Sequence, residues 1–394
     1  MAKNLYIAAT GKDVGKSTIS FAVINHLISS GAKVGFMKPV GQRWLPCNWG
    51  EVEEDVILMK EAFNFAEAPA NMNPIVIKKG FTEEYLAKSV KPDLGTPILN
   101  SYKQVCQEKD YVIIEGTGHA GVGSVINQSN ADVAKLLDAK VILVAKGGIG
   151  SAIDSLELNR EFFESKGCQV IGVIVNKVLV NKLDKVKRNI KRYCKHNKLR
   201  LLGIVPYSPI LSNPTLGQII DEMKPEILNE TNERDLVTEK IFVGAYPLQE
   251  FIEYVNEQKG KLLGVFPTTR LDLLMSIPTL NKNLKEKNRI FAILFSGDIA
   301  PSRYAMESLK HENINILWKK GDTYSIISQL SSISIKTRSK DRFKIEEIKN
   351  VVDKNIEMKR IFKMLSNAKL ISQVTWKHKL AKLLQKVKKF YGNK

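Results

Sequence analysis

Through the first half of the chain, short apolar runs alternate with longer stretches whose apolar residues recur at helical spacing. The pattern predicts strands over Asn4–Ala9, Lys33–Met37, Asp110–Glu115, Lys140–Ala145, Val170–Asn176 and Leu201–Val205. It predicts helices over Lys16–Ser30, Glu53–Phe65, Thr96–Glu108, Asp132–Leu137, Ile153–Lys166 and Lys182–His196. In the first of these, Phe21, Ile24 and Leu27 fall at helical spacing and Gly31 ends the helix. Continuous apolar strands separated by helices imply a parallel sheet covered on both faces. Ligands of such sheets bind beyond the carboxyl ends of the strands. The stretch before Lys16, together with Lys38, Glu115 and Asn176, stands at such ends, so the pattern directs them to one cleft.

The alternation pauses over the polar, acidic stretch Thr215–Glu233 and then resumes. Strands are predicted at Ile241–Val243, Leu262–Val265, Ile290–Phe295 and Ile314–Leu317, and helices at Leu248–Gln258, Leu271–Ile277, Ser302–Glu312 and Thr323–Leu330. No convincing internal repeat links the two halves. From Lys340 the pattern is helical and basic, with Ile361, Phe362, Leu365, Leu370, Val374, Leu380, Leu383, Leu384 and Val387 near helical spacing among lysines. The expected organisation is an α/β domain over 1–214, a linker over 215–239, a second, smaller α/β domain over 240–336 and a helical tail over 337–394.

The first strand leads into Thr10-Gly11-Lys12-Asp13-Val14-Gly15-Lys16-Ser17-Thr18. Strand, small-residue loop ending in Gly-Lys-Ser, then helix is the arrangement of a phosphate-binding loop. Gly15 lets the backbone approach a phosphate, and amides at the helix N-terminus point at the anion. Lys16 would reach the outer phosphates, and the Ser17 hydroxyl would sit on Mg²⁺. Thr10 stands where the first glycine of G-x-x-x-x-G-K-[ST] belongs, and Gly11 follows one residue late. A Mg-nucleotide site also needs carboxylates: Asp55 follows the second strand's loop and Glu115 ends an apolar strand. The alternative readings are an ordinary surface acid beside Glu53 and Glu54 for Asp55, and a cap or ion pair for Glu115. Gly116-Thr117-Gly118-His119 offers a second set of amides for a phosphate or a substrate carboxylate, with His119 equally a plain loop histidine. Lys12 and Lys38 would neutralise charge in phosphoryl transfer. Asn176, before Lys177, stands where a base-recognition Asn would sit, or simply closes a turn.

Charge changes the picture at two places. The 394 residues hold 60 basic and 41 acidic side chains, a net +19. Lys177–Arg200 carries ten basic residues against Asp184, and Lys354–Lys394 carries twelve against Glu357. Solvated helix faces account for this most simply. For the tail, with Trp376, Phe390 and Tyr391, docking on the parent domain or an oligomer partner is favoured over a membrane surface or nucleic acid. Cys47, Cys106, Cys168 and Cys194 are scattered without metal-ligand spacing, which fits a reducing compartment. No apolar run is long enough to span a bilayer, and the first residues lead straight into a strand without a signal peptide. The expected location is the cytoplasm.

The pieces Thr10–Ser17, Lys38-Pro39-Val40, Asp55, Glu115-Gly116-Thr117-Gly118, Val173–Asn176 and Val205-Pro206 resemble dethiobiotin synthetase and its P-loop relatives over roughly residues 1–225. The resemblance implies ATP and Mg²⁺ as cofactors, held by Lys16 and Ser17. It places the metal acids at Asp55 and Glu115, the substrate-side lysine at Lys38 and the adenine-site Asn at Asn176. Gly41-Gln42-Arg43-Trp44 and His119 depart from the family's substrate-binding pattern, which leaves diaminopelargonic acid in doubt as substrate. Leu263–Asp272 with Arg270, Phe295-Ser296-Gly297 with Pro301, and Gly321-Asp322-Thr323-Tyr324 resemble the DRTGG domain, a regulatory or oligomerisation module. This pair of domains precedes the catalytic domain in long phosphotransacetylases. The sequence stops before such a domain, so that transfer is not expected. The resulting expectation is a Mg-ATP-binding regulatory sensor or slow ATPase, a homodimer or higher homo-oligomer with a protein partner possible at the second domain. The alternatives are an ATP-dependent ligase on a small carboxylate or amine, using Lys16, Lys12 and Lys38, and a non-catalytic scaffold.

Overall fold

The computed structural model describes residues 2–284, 288–333 and 335–366. It divides into two units, Met1–Tyr207 with Ile348–Lys394, and Ser208–Glu347.

The first unit is built on six parallel strands: β1 (Lys3–Ala9), β2 (Val34–Met37), β3 (Tyr111–Glu115), β4 (Lys140–Lys146), β5 (Val170–Val178) and β6 (Leu201–Pro206). Their order is β6-β5-β4-β1-β3-β2. The strand order reverses at β1, which leaves a crevice at its carboxyl end between β3 and β4. The apolar runs follow from burial on both faces. Tyr6 and Ala8 join one core with Met37, Ile114, Val141, Leu143 and Val175. Leu5 and Ile7, also buried, alternate to the other face, where helix α1 (Lys16–Ser29) packs on β1.

Two parts of this unit depart from the sequence pattern. Between β2 and β3, Trp44–Cys47 and Gly50–Glu53 pair as an antiparallel hairpin, with Trp44 opposite Glu53, before helix α2 (Glu54–Phe63). The tail is not a separate part over its described length. The Met358–Ser366 helix buries Ile361 and Leu365 in the first unit, and Phe362 stacks on His26 with ring centroids 5.7 Å apart. Glu357 N donates to Leu202 O at 2.7 Å, and Lys140 Nζ to Met364 O at 2.9 Å. The expected stripe from Leu370 to Val387 and the aromatic residues Trp376, Phe390 and Tyr391 lie outside the described residues.

The second unit has strands β7 (Glu226–Asn229), β8 (Lys240–Val243), β9 (Leu262–Pro267), β10 (Ile290–Ser296) and β11 (Asn315–Lys319), in the order β7-β11-β10-β9-β8. All pair in parallel except β7, which joins β11 antiparallel. The stretch expected as a linker is therefore structured. Thr215 and Gln218 form a reciprocal capping box, the Leu216–Met223 helix packs its apolar face on Leu263, Phe291 and Leu317, and β7 extends the sheet. Its polarity is that of a capped helix and an edge strand. Among the described residues no helix is long and apolar enough to cross a membrane.

Candidate functional site

The loop between β1 and α1 is tied at both ends and from below. Thr10 N donates to Val144 O on β4 at 2.9 Å, and Ile19 N donates to Gly15 O at 3.1 Å. Gly15 has φ +100°, and a Cβ there would collide with the Asn176 side-chain amide. Asn176 Nδ2 donates to Val14 O at 2.9 Å, and Lys177 Nζ donates to Asp13 O at 2.8 Å. Two consecutive β5 residues thus hold two consecutive loop carbonyls, a geometry that leaves the turn's amides for an anion. Asn176 is buried and its Oδ1 also accepts from Lys177 N at 2.9 Å. The residue expected at the nucleotide base is thereby engaged in holding the loop. Lys177 was not singled out for a role by the sequence pattern. Burial pulls its ammonium below the usual lysine range.

Lys16 is largely buried, with Nζ 3.5 Å from both Gly11 O and Gly118 O. Thr10, Gly11 and Thr18 are half-buried and Lys12 is exposed on the loop. Beneath Lys16, Ser17 Oγ lies 2.8 Å from Asp55 Oδ1 and 2.8 Å from Glu115 Oε1. α2 carries Asp55 in its first turn and β3 ends in Glu115, so the elements that position the two acids differ. Both carboxylates are at least 97 % buried, at 3 % and 1 % exposure. Lys38 Nζ bonds Glu53 Oε1 at 2.8 Å and Asp55 Oδ2, and lies 3.8 Å from Glu115 Oε1. Burial works against the Lys38 charge, but Asp55, Glu115 and Glu53 outweigh it and hold the ammonium protonated above the usual lysine range. Burial, and then the Asp55 charge, push the Glu115 carboxyl up.

The donor set fits a divalent cation in two respects. A hydroxyl has one proton to donate, yet Ser17 Oγ faces two carboxylate oxygens at hydrogen-bond distance. Glu115 Oε2 is buried without a hydrogen-bond partner among the described residues. Among the described residues no group of three or more His, Cys, Asp or Glu is placed to hold an ion. Mg²⁺ is usually bound by one or two carboxylates with phosphates and water, which is what Ser17, Asp55 and Glu115 would supply together with a nucleotide.

The loop after β3 departs from expectation. Gly116 N donates to Ile7 O at 3.0 Å and Thr117 N to Asn130 Oδ1 at 3.0 Å. Two of the four amides expected to face a ligand are therefore committed inside the protein. Asn130 organises this loop, accepting from Tyr6 OH at 2.8 Å and donating to Thr117 O at 2.7 Å and His119 O at 2.6 Å. Gly118 contributes its carbonyl near Lys16. Glu53, Asn130 and Lys177 are the structural partners that sequence reasoning missed. Only the strand-end position of Lys177 pointed toward the cleft.

A family model described as AAA domain matches residues 3–215, and one described as DRTGG domain matches residues 218–333. Phosphate acetyltransferase from Nitratidesulfovibrio vulgaris is 24% identical over 99% of this chain and 55% of its own length. The chain spans about half the length of the phosphate acetyltransferases it matches. ATP-dependent dethiobiotin synthetase BioD from Brachyspira hyodysenteriae is 28% identical over 45% of this chain and 80% of its own. Among solved structures, the MinD cell division protein of Aquifex aeolicus is 16% identical and covers 54% of this chain and 85% of its own, with a TM-score of 0.34. The CBS and DRTGG domains of a Clostridium perfringens pyrophosphatase cover 39% of this chain and 74% of their own, at 15% identity and a TM-score of 0.27. With its AAA-domain match over more than half of its length, the chain belongs to the AAA_26 family of P-loop proteins and carries a DRTGG domain behind that module.

Proposed function

We propose that the protein binds Mg-ATP at the β1–α1 loop and works as a nucleotide sensor or slow ATPase whose state is read through its DRTGG domain. The observation that carries this reading is the convergence of Ser17 Oγ, Asp55 and Glu115 beneath Lys16, at the strand-order reversal. In this reading Lys16 reaches the outer phosphates, the amides from Gly11 to Ser17 cradle them, and Asp55, Glu115 and Ser17 hold the metal. A bound Mg²⁺ would neutralise phosphate charge. Asn176 and Lys177 keep the loop in its binding shape, and Lys38 balances the buried acids. Regulation suits the second domain, since the DRTGG match covers nearly the whole second unit. The proposed location is the cytoplasm, and the proposed assembly is a homo-oligomer.

A second reading, an ATP-dependent ligase on a small carboxylate or amine, is favoured by the similarity to dethiobiotin synthetases over the first unit. It needs Lys38 to meet the substrate, and Lys38 is already paired with Glu53 and Asp55. The two readings separate on ATP turnover with Mg²⁺, alone and then with diaminopelargonic acid and bicarbonate. Tight ATP binding with little turnover in both conditions supports the sensor. ADP release that rises with the added substrates, together with product, supports the ligase and overturns the sensor.

A further inference from the structure

We infer that Glu53 closes this site to an anionic acceptor by filling, with its own carboxylate, the place beside Lys38 that a substrate carboxylate would take. The inference rests on the Mg-nucleotide reading of the site. Lys38 and Glu53 pair at 2.8 Å with 5 % and 2 % of their side chains exposed, so the position is inside the protein rather than at its rim. The second Glu53 oxygen is also held, accepting from Arg43 N at 2.7 Å. The hairpin explains why: its register sets Trp44 opposite Glu53, which turns the strand's last residue back onto the start of the same connection. The surrounding backbone is shaped to the carboxylate. A Cβ at Gly41 would stand 2.7 Å from Glu53 Oε2 and 2.9 Å from the Asn73 amide, so a larger residue there would compete with Glu53 for space.

Charge balance points the same way. Lys38 supplies one positive charge, and Glu53, Asp55 and Glu115 supply three negative charges when ionised. One divalent cation balances the charges around Lys38, so that cluster adds no net attraction for an anion beyond the phosphates met at Lys16. Without the Glu53 charge the metal-loaded cluster would carry one net positive charge, and Lys38 would keep Asp55 but lose the second of its two close carboxylates. A buried cation in that condition attracts a carboxylate strongly, because the low local dielectric screens it little. Glu53 is therefore a specificity-determining residue. It restricts the cleft to the nucleotide and its metal.

The test is calorimetric titration of acetate into the full chain saturated with Mg-ADP, for the wild type and for Glu53→Ala, which empties the place. Mg-ADP binding is measured first on each protein. The expected result is acetate binding at least tenfold tighter in E53A than in the wild type. Equal acetate affinities, or no acetate binding by E53A that holds Mg-ADP, would overturn the inference while leaving the nucleotide site standing. Absence of Mg-ADP binding by the wild type overturns the nucleotide reading and this inference with it. Should E53A not fold, the wild type alone decides. With ¹⁵N-labelled lysine, and the Lys38 ammonium resonance assigned by Lys38→Arg, that resonance should move with Mg-ADP and stay in place with acetate. Movement with acetate would contradict a carboxylate position filled from within.

Discussion

The Asn176 amide donates to the Val14 carbonyl at 2.9 Å across 162 residues of sequence, and so ties the β1–α1 loop to the end of β5. Replacing Asn176 by Ala strips the partner from a buried backbone oxygen, which costs about 1–3 kcal/mol. Nucleotide affinity should fall with it, because the turn loses its anchor. Gly15→Ala should act on the same joint from the other side, since its left-handed φ and its contact with Asn176 both oppose a side chain. Thermal unfolding and ATP titration of the two variants check this. Native stability and affinity in Asn176→Ala would contradict the anchoring role.

Lys38 is the ammonium among three buried carboxylates. Lys38→Met leaves that charge without its partner, and breaking a buried pair from one side typically costs about 3–5 kcal/mol. Because the same carboxylates are the proposed metal ligands, Mg²⁺ should restore part of the lost stability. Chemical unfolding with and without Mg²⁺ reads both effects. A variant as stable as the wild type, or one indifferent to Mg²⁺, would count against the cluster as described.

The Met358–Ser366 helix belongs to the core of the first unit. Ile361 is fully buried, and Ile361→Ala should cost about 2–5 kcal/mol in unfolding experiments. Truncation after Asn355 should lower the melting temperature of the first unit by exposing the apolar surface that Met358, Ile361 and Leu365 cover. Unchanged melting would mean that the helix only rests on the sheet.

The second unit should carry a pH signature of its own. Lys344 Nζ donates to Gln218 Oε1 at 3.1 Å in a buried setting. Burial, partly offset by Asp341, pulls its pKa from 10.5 down to about 8. Between those values the unfolded chain binds more protons than the folded one, so stability rises with pH across that window. Below it both states hold the proton and the dependence vanishes. The slope is at most about 1.4 kcal/mol per pH unit. Lys344→Met should flatten it, and parallel profiles for variant and wild type would refute the assignment.

The phosphate loop and the strands that frame it were legible because each depends on local sequence: an apolar run, a small-residue turn, a helix start. Glu115 was legible for the same reason, as the acid closing an apolar strand. Glu53 was not. It sits in the acidic run Glu51-Val52-Glu53-Glu54-Asp55, where any carboxylate passes for a solvated one, and only the hairpin returns it to Lys38. Asn130 meets Tyr6 across 124 residues, a distance at which sequence pattern carries no signal. The Leu216–Met223 helix and β7 were hidden by polarity, since a short capped helix and an edge strand need only one apolar face. The apolar positions within Met358–Ser366 announced a covering surface, but their spacing alone did not say that the surface was the chain's own first sheet.

The central claim is that Lys16 and its loop hold Mg-ATP. The most direct measurement is calorimetric titration of ATP, with and without Mg²⁺, into the wild type and Lys16→Ala, each first checked for cooperative unfolding. Lys16 is 9 % exposed rather than out in solvent, with its Nζ 3.5 Å from the Gly11 and Gly118 carbonyls, which is why the folding of the variant is checked before the titration. The account predicts Mg²⁺-dependent binding by the wild type and loss of at least tenfold in affinity for the folded variant. Equal ATP binding by the two proteins would contradict it.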